Sequence, residues 1–161
     1  MKTTIEFMAH PVTGKIPMSE FLDQLVEEAK TDAIKLQLLL FITRGFEFLE
    51  KYSLQHAFKT YFETHREDGS PYTIKLVKNL ERHVPLIEFR VNWRGIGAFR
   101  AIFFEHVAGD NQILFFINCV VKPETKDPAF ERAVKDAEMV YQHFLAHPEE
   151  HITLIGDGKH D

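Results

Sequence analysis

Cysteine is nearly absent from this chain. Cys119 is the single one in 161 residues, so no internal disulfide can form and the fold must rest on its core. A reducing cytoplasm is the expected compartment. Long apolar runs are missing as well, and none approaches the ~20 residues that span a bilayer. The first residues, Met1-Lys2-Thr3-Thr4-Ile5-Glu6-Phe7, lack the apolar core and small-residue cleavage site of an export signal. The chain is therefore expected to be soluble and unexported, with no membrane partner. No internal repeat or low-complexity tract interrupts it. Positive charge is also in deficit, with a net charge of −5, which at face value argues against a nucleic-acid binder.

What is present is a large apolar fraction, 45% of the chain with fifteen Phe, enough to bury one proper core without metal or disulfide. One domain is expected over residues 1–147. Residues 148–161 have little to bury beyond Ile152, Leu154 and Ile155 and are expected to form a mobile tail. The charge is unevenly spread: residues 1–71 carry eight Lys/Arg against eleven Asp/Glu, residues 72–106 six against three, and residues 107–161 five against ten. Positive charge concentrates in the middle third. On charge alone, a solvated sheet face with uneven surface charge is favoured over a binding surface.

Along the chain, Lys2 to Met8 reads as a short strand closed by the turn formers His10-Pro11-Val12-Thr13-Gly14. Pro17 opens a helix whose Met18, Phe21, Leu22, Leu25 and Ala29 recur at helical spacing. Thr31-Asp32 caps a second helix from Ala33 to about Leu49, apolar on most sides, and Leu54, Ala57, Phe58 and Tyr61 suggest a short further one. Glu67-Asp68-Gly69-Ser70-Pro71 is a surface turn, and Tyr72 to Leu80 is a strand candidate. From Leu86 to Trp93, Ile87, Phe89, Val91 and Trp93 alternate with Glu88, Arg90 and Asn92, which turns Arg90 away from the aromatic side. Arg94-Gly95-Ile96-Gly97 connects tightly to a strand over Ala98–Glu105, and Gly109-Asp110-Asn111 turns into Ile113–Val121, whose unbroken apolar run suits an interior strand. Asp127 and Pro128 begin a last helix that Pro148 ends. The fold class is α+β: a small, antiparallel-rich twisted sheet with an N-terminal helical pair and a C-terminal helix.

These elements carry a resemblance to the RelE/ParE toxin superfamily, in its HigB-like, phage-associated branch, over about Ile5 to Tyr141. Gly14-Lys15-Ile16-Pro17-Met18-Ser19-Glu20-Phe21-Leu22 resembles the family's turn-plus-helix opening, and Lys75-Leu76 its Lys-Leu pair. Leu86-Ile87-Glu88-Phe89-Arg90 resembles the aliphatic-x-Glu-x-Arg strand, Phe99-Arg100 the aromatic-Arg pair, and Val121-Lys122 with Lys126-Asp127-Pro128 the basic loop before the final helix. The resemblance implies a RelE-like fold and the toxin of a type II toxin–antitoxin system. Such a toxin cleaves mRNA on the ribosome by attack of a ribose 2′-hydroxyl on the adjacent phosphate, without metal or other cofactor, and a helix-turn-helix antitoxin silences it.

In that reading Arg90, Arg100 and Lys122 are the catalytic residues, since guanidinium stays charged and grips two phosphate oxygens at once. Lys75, Arg94 and Lys126 would bind RNA. The chain departs from the family where Cys119-Val120-Val121-Lys122-Pro123-Glu124 replaces a Gly-Phe-x-Lys-Lys-Thr run, so the basic loop is weaker by one lysine, and segment 53–72 is longer than expected. Two other functions stay open: a non-catalytic interaction protein of a phage or mobile element on the same fold, and a ParE-like toxin directed at gyrase.

Each residue also has an ordinary reading. Glu88 and Arg90 share a strand face and can neutralise neighbours there, and Lys126 can be a plain surface charge beside Asp127 and Glu124. Cys119 is expected to be a buried small residue, and His83 and His106 solvent-exposed strand-end residues. His143, His147 and His151 recur every four residues, a spacing that aligns ligands on a helix, but Pro148 interrupts that helix. No metal is expected there.

Overall fold

Pro17 and Asp32 fix where the first two helices begin. In the computed structural model, which describes residues 1–93, 97–122 and 128–151, strand β1 (Lys2–Phe7) leads to helix α1 (Pro17–Ala29), and Pro17 stands in its first turn, where a missing N–H costs nothing. Helix α2 (Ala33–Lys59) starts at Asp32, whose carboxylate accepts the amides of Ile34 at 2.9 Å and Lys35 at 3.3 Å. The two helical stretches expected over 33–49 and 54–61 belong to this one element, which kinks at Ser53 (φ 80°, ψ 164°). A left-handed φ at a serine is costly, about 1–3 kcal/mol. The fully buried Gln112 holds the kink: its Oε1 accepts the Leu54 amide at 3.2 Å and the Thr3 hydroxyl at 2.9 Å.

Segment 53–72 is thus the end of α2 followed by a hairpin of β2 (Phe62–His65) and β3 (Pro71–Ile74), closed by the expected turn. The expected strand Tyr72–Leu80 divides. Its first part pairs with β2 in a separate two-stranded sheet, and β4 (Val77–Asn79) joins the main sheet. The rest follows as β5 (Ile87–Trp93), β6 (Gly97–Ala108), β7 (Asn111–Lys122) and helix α3 (Pro128–Ala146). Expected start signals at Asp127 lie outside the described residues.

The main sheet has five strands in the order β1-β7-β6-β5-β4, antiparallel except that β1 runs parallel to β7. Helices α1 and α2 cover one face. Ile87, Phe89, Val91, Phe99, Phe103 and Phe116 pack there against Met18, Leu38, Phe41 and Ile42. Gly45 lets α2 come close, because a Cβ at that position would stand 2.7 Å from the Phe89 ring and 3.2 Å from Leu76. Helix α3 covers part of the other face, where Val134, Ala137, Val140 and Phe144 meet Ile102, Phe104, Ile113, Phe115 and Ile117. Among the described residues no helix is long and apolar enough to cross a membrane.

Two expectations about exposure change. His83 is half-buried and bonded through Nδ1 to Glu138 of α3, and His106 lies beside the Phe144 ring at 5.5 Å. Both strand ends are roofed by α3, which the sequence pattern of the strands alone does not reveal. Residues 148–151, assigned to the tail, form a turn against the end of α3.

Candidate functional site

Strand alternation turns Glu88, Arg90 and Asn92 of β5 onto the α3 face. Pairing registers extend the same face across two more strands. Glu88 stands opposite Ile102, Arg90 opposite Arg100 and Asn92 opposite Ala98. On β7, Asn118 faces Ile102, Val120 faces Arg100 and Lys122 faces Ala98. Helix α3 packs on this surface at Asn118, whose amide nitrogen donates to the Ala133 carbonyl at 2.9 Å. Past that row Arg90 is half-buried, Arg100 is buried, and Lys122 meets the first turn of α3 at Phe130.

Arg90 and Arg100 are direct cross-strand partners. The Arg90 amide donates away from β6, to the Leu76 carbonyl at 2.7 Å, so the two arginines form a non-hydrogen-bonded pair, the class with the closest side chains, about 4.5 Å between Cα atoms. Like charges in that arrangement oppose folding. Part of the cost is offset by Glu88, whose Oε1 lies 2.9 Å from Arg100 Nε in a pair that is nine-tenths buried on both sides. The contact is ionic rather than a well-directed hydrogen bond, since the Nε–H is not aligned on a partner. The other Arg100 nitrogens donate to the Phe99 carbonyl at 2.9 Å and to Asn92 Oδ1 at 3.0 Å. Burial lowers the Arg100 pKa from its ordinary value, Glu88 pulls it back up and Arg90 pushes it further down.

Arg90 is held differently. Its Nε–H donates to the Lys75 carbonyl at 3.1 Å, and among the described residues its terminal nitrogens have no partner and it makes no ion pair. Lys122 is also without a carboxylate partner among the described residues, and its ammonium rests 4.7 Å over the Phe130 ring in the first turn of α3. Lys75 enters the site with its carbonyl rather than its ammonium, which caps the end of α2 through the Phe58 carbonyl at 2.8 Å and lies over the Tyr61 ring. Arg94 and Lys126 lie outside the described residues.

Two members of the site were not singled out from the sequence. Asn92 orients Arg100 through its side chain, and its place in the Glu88-Arg90 alternation is a signal for it. Tyr72 donates its hydroxyl to the Asn92 carbonyl at 3.1 Å, accepts the Asn92 amide at 3.0 Å, and stacks on Phe41 with 4.3 Å between rings. Burial raises its phenol pKa, against the pull of the Asn92 backbone bond and of Arg100, Arg66 and Arg90. It is a neutral anchor for the end of β5. Its role rests on a contact twenty positions away, for which one strand's pattern carries no signal.

Cys119 packs on the opposite face with the α1/α2 core, and burial pushes its thiol up to about 12. It is not a nucleophile at neutral pH. Chemically, among the described residues this end of the sheet offers a guanidinium with unpartnered terminal nitrogens, an ammonium with no carboxylate partner and a second guanidinium locked between a carboxylate and an amide. That arrangement suits a phosphodiester. Compared with family models, curated proteins and solved structures, the chain matches none.

Proposed function

We propose that this chain is the toxin of a type II toxin–antitoxin pair, an endoribonuclease that cuts mRNA on the ribosome in the cytoplasm without a metal. The observation that carries the reading is the Arg90–Arg100 pair, two arginines directly opposite on neighbouring strands with Lys122 one residue row away. A fold gains nothing in stability from opposing two cations, whereas a pentacoordinate phosphate gains from both. The RelE-like arrangement is part of the proposal. A β-strand, two helices, an antiparallel run of strands and a closing helix are the order that such a toxin needs.

In the reaction a ribose 2′-oxygen attacks the adjacent phosphorus, the bond from phosphorus to the 5′-oxygen breaks, and a 2′,3′-cyclic phosphate and a 5′-hydroxyl result. Arg90 grips the non-bridging oxygens through its free terminal nitrogens, and Lys122 adds a point charge. Arg100, charge-paired with Glu88 and held by Asn92, forms the rigid neighbour of Arg90. Glu88 is a positioning residue. The silencing partner is a small helix-turn-helix antitoxin, which must screen this patch.

Primer extension on host transcripts after brief induction tests the proposal. Wild type is expected to give discrete breaks within translated messages, and Arg90→Ala to weaken them by roughly 10²–10³-fold, the usual cost of one transition-state donor. Growth arrest without breaks, or arrest of DNA rather than protein synthesis, would overturn the nuclease reading in favour of a gyrase-directed toxin. A second reading has one observation behind it. The buried Glu88–Arg100 pair satisfies Arg100 structurally, as in an interaction protein without catalysis, and undisturbed growth on induction would favour it.

A further inference from the structure

The far end of α3 carries a second cluster. His143 and His147 lie four apart near the end of the helix, and a continuous helix would stack His151 above them. Pro148 prevents that and redirects the chain. The His147 amide donates to the His143 carbonyl at 2.9 Å, the Glu150 amide to the His147 carbonyl at 3.2 Å, and the His151 amide to the Pro148 carbonyl at 3.1 Å. This tight turn folds Glu150 and His151 back over the last turn of α3. One ligand atom from each of His143, Glu150 and His151 then falls within 4.8 Å of the others.

We propose that His143, Glu150 and His151 bind one Zn²⁺ ion, which fastens the turn after α3 to the helix. Two imidazoles and a carboxylate are a donor set for zinc, whereas calcium and magnesium favour oxygen alone. A second observation points to a ligand. Nδ1 of His143 and Nε2 of His151 are both buried and, among the described residues, have no hydrogen-bond partner, an arrangement that opposes folding unless something else satisfies the nitrogens. His143 Nε2 and Glu150 Oε2 stand 3.7 Å apart, too far for a good hydrogen bond.

The position also favours a cation. The unpaired carbonyls that end a helix carry partial negative charge. Phe144 lies 5.7 Å from the His151 ring, and Phe144 is itself fixed in the core against Phe104 and Phe115. His151 is therefore backed by a rigid wall. Bonds of 2.0–2.1 Å to a tetrahedral ion set donor atoms about 3.3 Å apart, so the donors must close by about an ångström. Glu150 is exposed and sits on a single turn, so it can make that movement. Three ligands from the described residues leave a fourth position for water.

The site lies about 20 Å along α3 from Phe130 and does not depend on the nuclease reading. The test uses the full chain without a histidine affinity tag, stripped of metal and titrated with ZnCl₂ by calorimetry. One Zn²⁺ per chain is expected, with a rise in melting temperature, because the ion binds the folded chain. His143→Asn/His151→Asn is expected to weaken binding by roughly tenfold or more, a loss that even outer-shell changes produce, and to abolish the thermal shift. His56→Ala, on another helix, is expected to keep both. Circular dichroism of the metal-free variants checks folding, and Glu150→Gln, at an exposed position, carries the test if the double variant does not fold. No zinc binding by wild type, or unchanged affinity in a folded double variant or in Glu150→Gln, would overturn the proposal.

Discussion

The two faces of the main sheet are made by the same strands and have opposite character. Under α1 and α2 the face is apolar apart from the Thr3–Gln112 row, with Phe89, Phe99, Phe103 and Phe116 fully buried. On the other face Ile102, Phe104 and Phe115 are equally buried where α3 lies, and Glu88, Arg90, Asn92, Arg100 and Lys122 share that face. Glu88 and Arg100 are buried there as an ion pair, so the charge taken out of water carries its own counter-ion. Phe89 and Arg90 are neighbours in the chain, yet one lies in the α1/α2 core and the other among the charges.

Substitutions on the two sides should separate these roles. The largest effect is expected from Phe89→Ala, which empties a site fully buried between α2 and the sheet; urea unfolding should show a loss of about 3–5 kcal/mol. Arg90→Ala, one residue along, should stay within about 0.5 kcal/mol of wild type in the same measurement, since a half-buried cation facing another is removed. Next is Glu88→Ala, expected to cost about 3 kcal/mol because Arg100 is left buried without its carboxylate. If Glu88→Ala unfolds no more readily than Arg90→Ala, the buried ion pair is not the feature that reconciles the charged face with folding.

Gly45→Ala is expected to have a smaller effect than Phe89→Ala or Glu88→Ala. Alanine gains about 1 kcal/mol in helix propensity, but its Cβ would meet the Phe89 ring, and overpacking costs about 1–3 kcal/mol. A net loss of about 1 kcal/mol is expected in urea unfolding. A gain would mean that α2 can withdraw from the sheet.

Much of this was readable in advance. The helix starts at Pro17, Asp32 and Pro128 follow from capping chemistry, which is local. The alternation in Ile87–Trp93 assigns Phe89 and Arg90 to opposite faces because the strand period is two. Segment 71–79 was less legible. Its residues suit a strand throughout, and only pairing with β2 on one side and β5 on the other divides it. The approach of Glu150 and His151 to His143 carries no signal in the four-residue histidine spacing, because it depends on the turn that the chain makes at Pro148.

The amino-acid order by itself determined the α+β class, the helix starts and the face on which each β5 side chain lies, because caps and periodicity act within a few residues. Only the tertiary structure decided that Arg90 meets Arg100, that Glu88 and Asn92 hold the latter, and that α3 reaches Asn118 and Lys122. Register between strands and the reach of a helix across a sheet are set by packing among residues far apart in the chain, and a one-residue slip would have sent every one of these charges into the core.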